Sequence, residues 1–288
     1  MRGEVLWTPA ADARAHTRIG SYLDWLAAER GHTFEGYPDL WQWSVGDLDG
    51  FWTSLADWSG VRWHERPERA LGEPLMPGAR WFPGGTLNYA EHALAEAEGR
   101  PDDVAIVARS QTRDATELTW RELADQVGRC RAGLQRLGVG RGDRVAAFLP
   151  NIPETIVAFL ATASLGAIWS SCAPEFGTRS VVDRFAQIEP VVLLAIDGYR
   201  YGEKLVDRRD EVVAIEAALL SLRHTVHVAY VGTGADDWTP LLAEPAPLEF
   251  DPVPFDHALY VLYSSGTTGL PKAIVHGHGG ITVEHLKT

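Results

Sequence analysis

Between residues 104 and 231 short apolar runs alternate with amphipathic helical patterns, and this alternation restricts the fold more than any other feature of the sequence. Val104-Ala-Ile-Val-Ala108 reads as a strand. Thr119-Trp-Arg-Glu122 has the spacing of a capping box, in which each side chain accepts the other residue's backbone N–H. The helix it opens carries Leu123, Val127, Cys130, Leu134 and Leu137 at steps of four, three, four and three, and Gly138 is placed to end it. Arg144-Val-Ala-Ala-Phe-Leu149 is the next strand, Pro150-Asn151 a turn, and a helix bearing Ile156, Phe159, Leu160 and Leu165 runs up to Gly166. Ala167-Ile-Trp-Ser-Ser171, Val191-Val-Leu-Leu-Ala195 and Val226-His-Val-Ala-Tyr-Val231 read as further strands, with a helix from Thr178 to Gln187. Strands that are apolar on both sides of the pleat need cover on both faces, and helices between them make the order parallel. The expected fold is α/β, a largely parallel β-sheet flanked by helices.

The first eighty residues have a different texture. Eight of the 11 tryptophans fall within residues 1–81, among short helical patterns such as Ser21-Tyr-Leu-Asp-Trp-Leu-Ala-Ala28. Tryptophan brings much contact area per residue, so residues 1–80 read as a Trp-rich helical N-terminal cap, with Pro74, Pro77 and Gly78 at its exit and a second region over 81–288. There is no internal repeat and no coiled-coil heptad. Cys130 and Cys172 lack metal-ligand spacing, and Cys130 falls on the apolar stripe of its helix. No apolar run is long enough to span a membrane, and the N-terminus has no signal-peptide core. A net charge of −13 argues against nucleic acid and anionic membrane as partners. These features set the expectation of a soluble, cytoplasmic protein.

Near the end of the chain, after a proline-rich connector from Pro240 to Pro254, Leu259-Tyr-Val-Leu-Tyr263 empties into Ser264-Ser-Gly-Thr-Thr-Gly-Leu-Pro-Lys272 and Ala273-Ile-Val275 follows. A strand, a loop of small hydroxyl and glycine residues closed by one lysine, and a second strand form a site for polyphosphate. Gly266 and Gly269 let the backbone approach a ligand. The hydroxyls of Ser264, Ser265, Thr267 and Thr268 donate to phosphate oxygens, and Lys272 adds a point charge. The loop lacks the Gly-Lys-Ser/Thr of a Walker A motif. ATP is the expected ligand.

The nine residues from Ser264 to Lys272 resemble the signature loop of the adenylate-forming enzymes, which include acyl-CoA synthetases, luciferases and peptide-synthetase adenylation domains. Trp81-Phe-Pro-Gly-Gly-Thr-Leu-Asn-Tyr89, Leu118-Thr-Trp-Arg-Glu-Leu123 and Gly142-Asp-Arg-Val145 are similar to early elements of the same superfamily. Ile168-Trp-Ser-Ser-Cys-Ala-Pro-Glu-Phe-Gly177 and the stretch from Tyr263 to Gly280 resemble the acetoacetyl-CoA synthetase branch, whereas acetyl-CoA synthetases carry a less polar sequence at the first of these places.

That resemblance implies an acid–thiol ligase that uses ATP, Mg2+ and CoA and activates acetoacetate as acetoacetyl-AMP. It implies phosphate contacts from Ser264, Ser265, Gly266, Thr267, Thr268, Gly269 and Lys272. It places Arg200 and Lys204 near the CoA nucleotide phosphates and His276 at the border of the acyl pocket, with His278 a weaker candidate and Asn88-Tyr89 fixing a turn. It assigns no catalytic residue and no metal ligand to these 288 residues. Family members are much longer; their later acidic motif, ribose-binding aspartate, hinge and C-terminal domain with its lysine have no counterpart before Thr288. The chain therefore reads as the first part of the large domain, inactive alone, with the missing C-terminal part of the same enzyme as its partner. A sheet cut at this point should bare an edge strand and apolar surface. Acetate or propionate as the acid, and a non-catalytic nucleotide-binding relic, stay open as alternatives. A dinucleotide-binding oxidoreductase is disfavoured, because no glycine-rich turn follows the first core strand.

Overall fold

The computed structural model describes residues 3–10, 12–264 and 269–288. Contacts divide the chain into two compact units, Leu87–Gly279 and Met1–Thr86 with Gly280–Thr288.

The larger unit is built on a six-stranded sheet of β1 (Arg144–Phe148), β2 (Ile168–Cys172), β3 (Val192–Ile196), β4 (His224–Val228), β5 (Ala258–Ser264) and β6 (Lys272–Gly277). Its spatial order is β6-β5-β2-β1-β3-β4. Every neighbouring pair is parallel except β5 and β6, which form an antiparallel hairpin at the edge. The connecting helices are α1 (Trp120–Arg136), α2 (Pro153–Ser164), α3 (Thr178–Phe185) and α4 (Arg209–Ala218).

Helix α1 starts where the capping box placed it. Thr119 Oγ1 accepts the Glu122 N–H at 3.2 Å, and the Glu122 carboxylate accepts the Thr119 N–H at 2.8 Å. Its stripe of Leu123, Val127, Cys130 and Leu134 is buried, and Gly138 closes it at φ +79. On one face of the sheet Ala146, Phe148, Leu193 and Ala195 pack with Phe185 of α3 and Val212 and Ile215 of α4. Each large apolar side chain fully buried there contributes roughly 1.5–3 kcal/mol. On the other face Phe159 of α2 lies 6.0 Å from Trp169 and 5.7 Å from Tyr89, ring to ring.

Three sequence expectations need correction. Val104–Ala108 is not in the main sheet; it pairs antiparallel with Thr116–Thr119 in a ribbon of its own. The connection 109–115 is too short for a parallel crossover, which takes a dozen or more residues, and Val104 and Val107 stay exposed. The strand expected at Val226–Val231 is His224–Val228, because the loop beyond it turns away to bond Asp197. Helix α3 stops at Phe185 rather than Gln187, and the chain soon takes a left-handed turn at Glu189, φ +48. Cover on both faces holds in the middle of the sheet but fails at its edge, where Leu262, Ile274 and Val275 are 49%, 44% and 61% exposed.

The smaller unit is helical and aromatic, with α-helices at Arg18–Trp25, Tyr37–Gly46 and Leu48–Trp58 and a π-helical turn at Leu26–Arg30. Tyr22 packs 5.2 Å from Trp58, Trp43 meets Phe51 edge-on at 5.7 Å, and Trp52 meets Trp81 at 5.9 Å. Such pairs add to the area term that each ring brings. The Tyr22 hydroxyl and Ser54 Oγ are 2.7 Å apart, and burial pushes the tyrosine up to about 12. Asp57 receives both Arg30 and Arg66. Among the described residues no helix is long and apolar enough to cross a membrane.

Candidate nucleotide-phosphate site

Strand β5 ends at Ser264 and β6 begins at Lys272, and these two residues are cross-strand partners. The Ser/Thr/Gly loop therefore leaves and returns at one point, the carboxyl end of β5, beside the parallel strand β2. Ligands of open α/β sheets bind at such carboxyl ends. Ser265, Gly266, Thr267 and Thr268 lie outside the described residues. Gly269 sits at φ +149, a conformation that side-chain-bearing residues rarely adopt. The Lys272 side chain is exposed and has no ion pair or hydrogen bond among the described residues.

Register and the two-residue period put Tyr260, Leu262, Ser264, Lys272, Ile274 and His276 on one face of the hairpin. At roughly 3.3 Å per residue, His276 stands about 13 Å along the strand from Lys272. The two cannot touch the same phosphate. The His276 ring instead lies 5.3 Å from Tyr260, and burial raises the pKa of both Tyr260 and Tyr89.

A cleft of about 610 Å³ opens beside the loop between the Gly177–Ser180 turn, Asp183, Arg184, Gly269 and Pro271. The N-terminus of α3 faces it, and Gly177, as N-cap, offers no side chain to the first N–H groups. Helix α3 and the turn that follows it hold both ends of the loop. The Tyr263 hydroxyl donates to the Arg184 carbonyl at 2.9 Å, and Gln187 Nε2 donates to the Pro271 carbonyl at 3.0 Å. The Arg184 guanidinium lies over the rings of Phe176 at 5.0 Å and Tyr263 at 5.8 Å. Burial raises the Tyr263 pKa, which keeps the phenol a donor. Burial also pushes the Cys172 thiol up to about 11, against the pull of Arg184, which keeps it protonated at neutral pH. The sequence reading missed this bracket, because Arg184 and Gln187 look like surface positions of a helix and their partners stand some eighty residues away.

The remaining candidates are scattered. His278 is fully buried; its Nδ1 accepts the Tyr89 N–H at 3.2 Å, and Nε2 has no partner among the described residues. Burial, with nearby His257 second, lowers it to about 3, so it is a neutral structural residue. Asn88 also serves the fold: its amide donates to the carbonyls of Ala163, Ser164 and Asp251 at 3.0, 3.2 and 2.9 Å, and its Oδ1 caps the Ala90 N–H at 2.9 Å. Arg200 and Lys204 are exposed on an antiparallel hairpin, Gly198–Tyr201 with Lys204–Asp207, and do not line the cleft at the loop. Among the described residues no group of three or more His, Cys, Asp or Glu is placed to hold a metal ion.

A largely parallel sheet flanked by helices, with a strand–loop–strand hairpin at its edge, defines an α/β protein. The chain belongs to the AMP-binding enzyme family, whose model matches residues 94–287; residues 37–93 match the N-terminal region of acetyl-coenzyme A synthetase. It is 39% identical to the acetoacetyl-coenzyme A synthetase of Rhizobium meliloti (strain 1021) over 98% of this chain and 44% of that protein. It is 32% identical to the malonamoyl-CoA synthetase of Penicillium aethiopicum over 99% of this chain and 42% of that protein. Acetoacetyl-CoA synthetase from Streptomyces lividans superimposes with a TM-score of 0.94 at 51% identity, over 98% of this chain and 45% of that one. The chain thus spans less than half the length of the relatives it matches.

Proposed function

We propose that this chain is part of an AMP-forming ligase that activates acetoacetate with ATP and passes the acyl group to CoA. The observation that carries the reading is the hairpin that brings Lys272, without an ion pair among the described residues, to the carboxyl end of β5, in a chain that resembles acetoacetyl-CoA synthetases along nearly all its length. In the first half-reaction a carboxylate oxygen of the acid attacks the α-phosphorus of ATP, and the bond to pyrophosphate breaks. The CoA sulfur, having lost its proton to solvent, then attacks the acyl carbon and displaces AMP. Positioning and charge neutralisation carry most of such a displacement.

In this reading the loop from Ser264 to Gly269 and Lys272 hold the β- and γ-phosphates and release them as pyrophosphate. Arg200 and Lys204 meet the CoA phosphates, and His276, a strand's length from Lys272, borders the acyl pocket. Triphosphate charge implies Mg2+ as well. Among the described residues no cluster fits that ion, so the steps above are not routed through it. The bare face of Leu262 and Ile274 and the edge of β6 suit cover by the further polypeptide that the relatives possess.

Acetoacetate and malonamate, the acids in the relatives' names, both carry a carbonyl on C3, so recognition of that oxygen is the specificity to look for. The test is AMP release by the protein of the complete reading frame with acetoacetate, malonamate, acetate and propionate. Acetoacetate should give the highest kcat/KM. Preference for acetate or propionate would remove the substrate assignment, ADP as product would remove the mechanism, and no turnover with any acid would favour a nucleotide-binding relic.

A further inference from the structure

Strand pairing does not fix the place of Lys272. Among the described residues β5 is in register with β2 at Tyr260 and Trp169 alone, and Ser170 Oγ adds a bond to the Val261 carbonyl at 2.9 Å. Ser264 and Lys272 lie farther out, and β6 is the edge strand with β5 as its one neighbour. A two-stranded ribbon by itself is marginally stable, so the end of this hairpin needs other support to stay in one position.

Two side chains supply it, one at each end of the loop. The Tyr263 hydroxyl donates to the Arg184 carbonyl at 2.9 Å. By the two-residue period the Tyr263 ring lies on the face opposite Ser264 and Lys272, so this bond braces the hairpin from behind. The Arg184 guanidinium, which donates to the Ser180 carbonyl at 2.7 Å, covers the same ring at 5.8 Å. At the other end Gln187 Nε2 donates to the Pro271 carbonyl at 3.0 Å and to the Asp183 carbonyl at 2.7 Å. Both amide protons are thereby used, which sets the orientation of the group, and Pro271 immediately precedes Lys272.

The turn that carries Gln187 is itself anchored. Arg144, the first residue of β1, donates through Nε to the Ile188 carbonyl at 2.6 Å and through Nη2 to the Glu189 carbonyl at 2.8 Å. Strand β1 lies between β2 and β3, so the support runs from the middle of the sheet to the residue before Lys272. One net hydrogen bond corresponds to a factor of roughly 2 to 12 in the population of the position it holds. A site that is correctly placed only part of the time binds and reacts in proportion to that fraction.

We propose that Gln187 and the Tyr263 hydroxyl are positioning residues for the adenylation step, holding the Ser264–Lys272 end of the hairpin so that Lys272 meets the β- and γ-phosphates. The role rests on the ligase reading for its ligand; the mechanical hold does not.

The test uses the protein of the complete reading frame with Gln187→Met, Tyr263→Phe and the pair, each close in size to the parent but without the donor. Acetoacetate-dependent exchange of labelled pyrophosphate into ATP should lose roughly 2- to 12-fold in kcat/KM for ATP with either single variant, and more with the pair. Thioester formation from supplied acetoacetyl-AMP should hold, and so should the unfolding temperature. Gln187→Lys, which restores a donor of similar reach, should recover most of the loss. In a Lys272→Ala background Gln187→Met should cost less than in the parent, because it acts through Lys272. Amide hydrogen exchange at residues 262–264 and 272–275 should quicken in the two donor-less variants while helix α3 and β1 stay as they were. Unchanged hydrogen exchange in both variants, quicker hydrogen exchange with unaltered pyrophosphate exchange, or equal losses in the two half-reactions overturns the proposal. A parent that exchanges no pyrophosphate with any acid would remove the ligase reading instead, and the hydrogen-exchange comparison then decides by itself whether these side chains hold the hairpin.

Discussion

Replacing Lys272 by Ala separates the role of the phosphate hairpin from the stability of the sheet. Lys272 is exposed at the start of an edge strand and has no partner among the described residues, so its removal leaves no buried group unpaired. Substitutions of that kind change folding stability by no more than about 0.5 kcal/mol. A charge-assisted contact to a phosphate oxygen in a closed site is worth roughly 1.5–3 kcal/mol, which corresponds to about a 10- to 150-fold loss in the step that uses it. A contact still open to solvent would be worth about 0.2–1 kcal/mol, under sixfold. The assay is acetoacetate-dependent exchange of labelled pyrophosphate into ATP by the protein of the complete reading frame, with thioester formation from supplied acetoacetyl-AMP measured in parallel. The exchange should fall within the larger range while thioester formation holds, because pyrophosphate is present only in the first half-reaction. Equal losses in both halves would refute the assignment and make Lys272 a contact to the AMP moiety or to the fold.

Asn88→Ala removes a helix cap and the donor to the carbonyls of Ala163, Ser164 and Asp251, and should cost about 2–4 kcal/mol in urea unfolding of the 288-residue chain; a loss under 1 kcal/mol would mean that water replaces the amide. His278 is held near 3 when folded against 6.5 in an open chain, so its contribution is complete above pH 6.5 and fades as the unfolded chain takes up a proton on the way down to pH 3. Between pH 6.5 and 5 the parent should therefore lose up to about 2 kcal/mol more than His278→Asn, and identical pH profiles would show that the ring protonates in place. Val275→Lys charges the bare edge of β6 and should abolish concentration-dependent light scattering of the chain, whereas unchanged scattering would place the sticky surface elsewhere.

Local rules were legible in the sequence wherever one short segment satisfies itself. The Thr119–Glu122 box, the stripe from Leu123 to Leu134 and the glycine stops at 138 and 166, φ +79 and +64, all stand where their spacing put them. The hairpin that flanks the expected phosphate loop was legible for the same reason, since its two strands and the loop between them are contiguous in sequence. Partnerships across the chain were not. Nothing near Asp197 announces that it will accept three N–H groups from residues 231–234, and nothing near Arg184 announces the rings of Phe176 and Tyr263. The ribbon of Val104–Ala108 misled because an apolar run reads alike in a central strand and in a two-stranded ribbon, and only the length of the connection tells them apart. His276 and His278 are two residues apart, yet one ends a strand beside Tyr260 and the other is sealed inside next to His257; a change from strand to helix at that point decides it.

The central claim is that the acid is activated by transfer of AMP to its own oxygen. Acetoacetate labelled with ¹⁸O in its carboxylate, incubated with ATP, Mg2+, CoA and the protein of the complete reading frame, tests it most directly. When the thioester forms, the oxygen that attacked the α-phosphorus leaves with AMP. One ¹⁸O atom per turnover should therefore appear in AMP and none in inorganic phosphate or pyrophosphate. Label in inorganic phosphate, or AMP without label, would contradict the account.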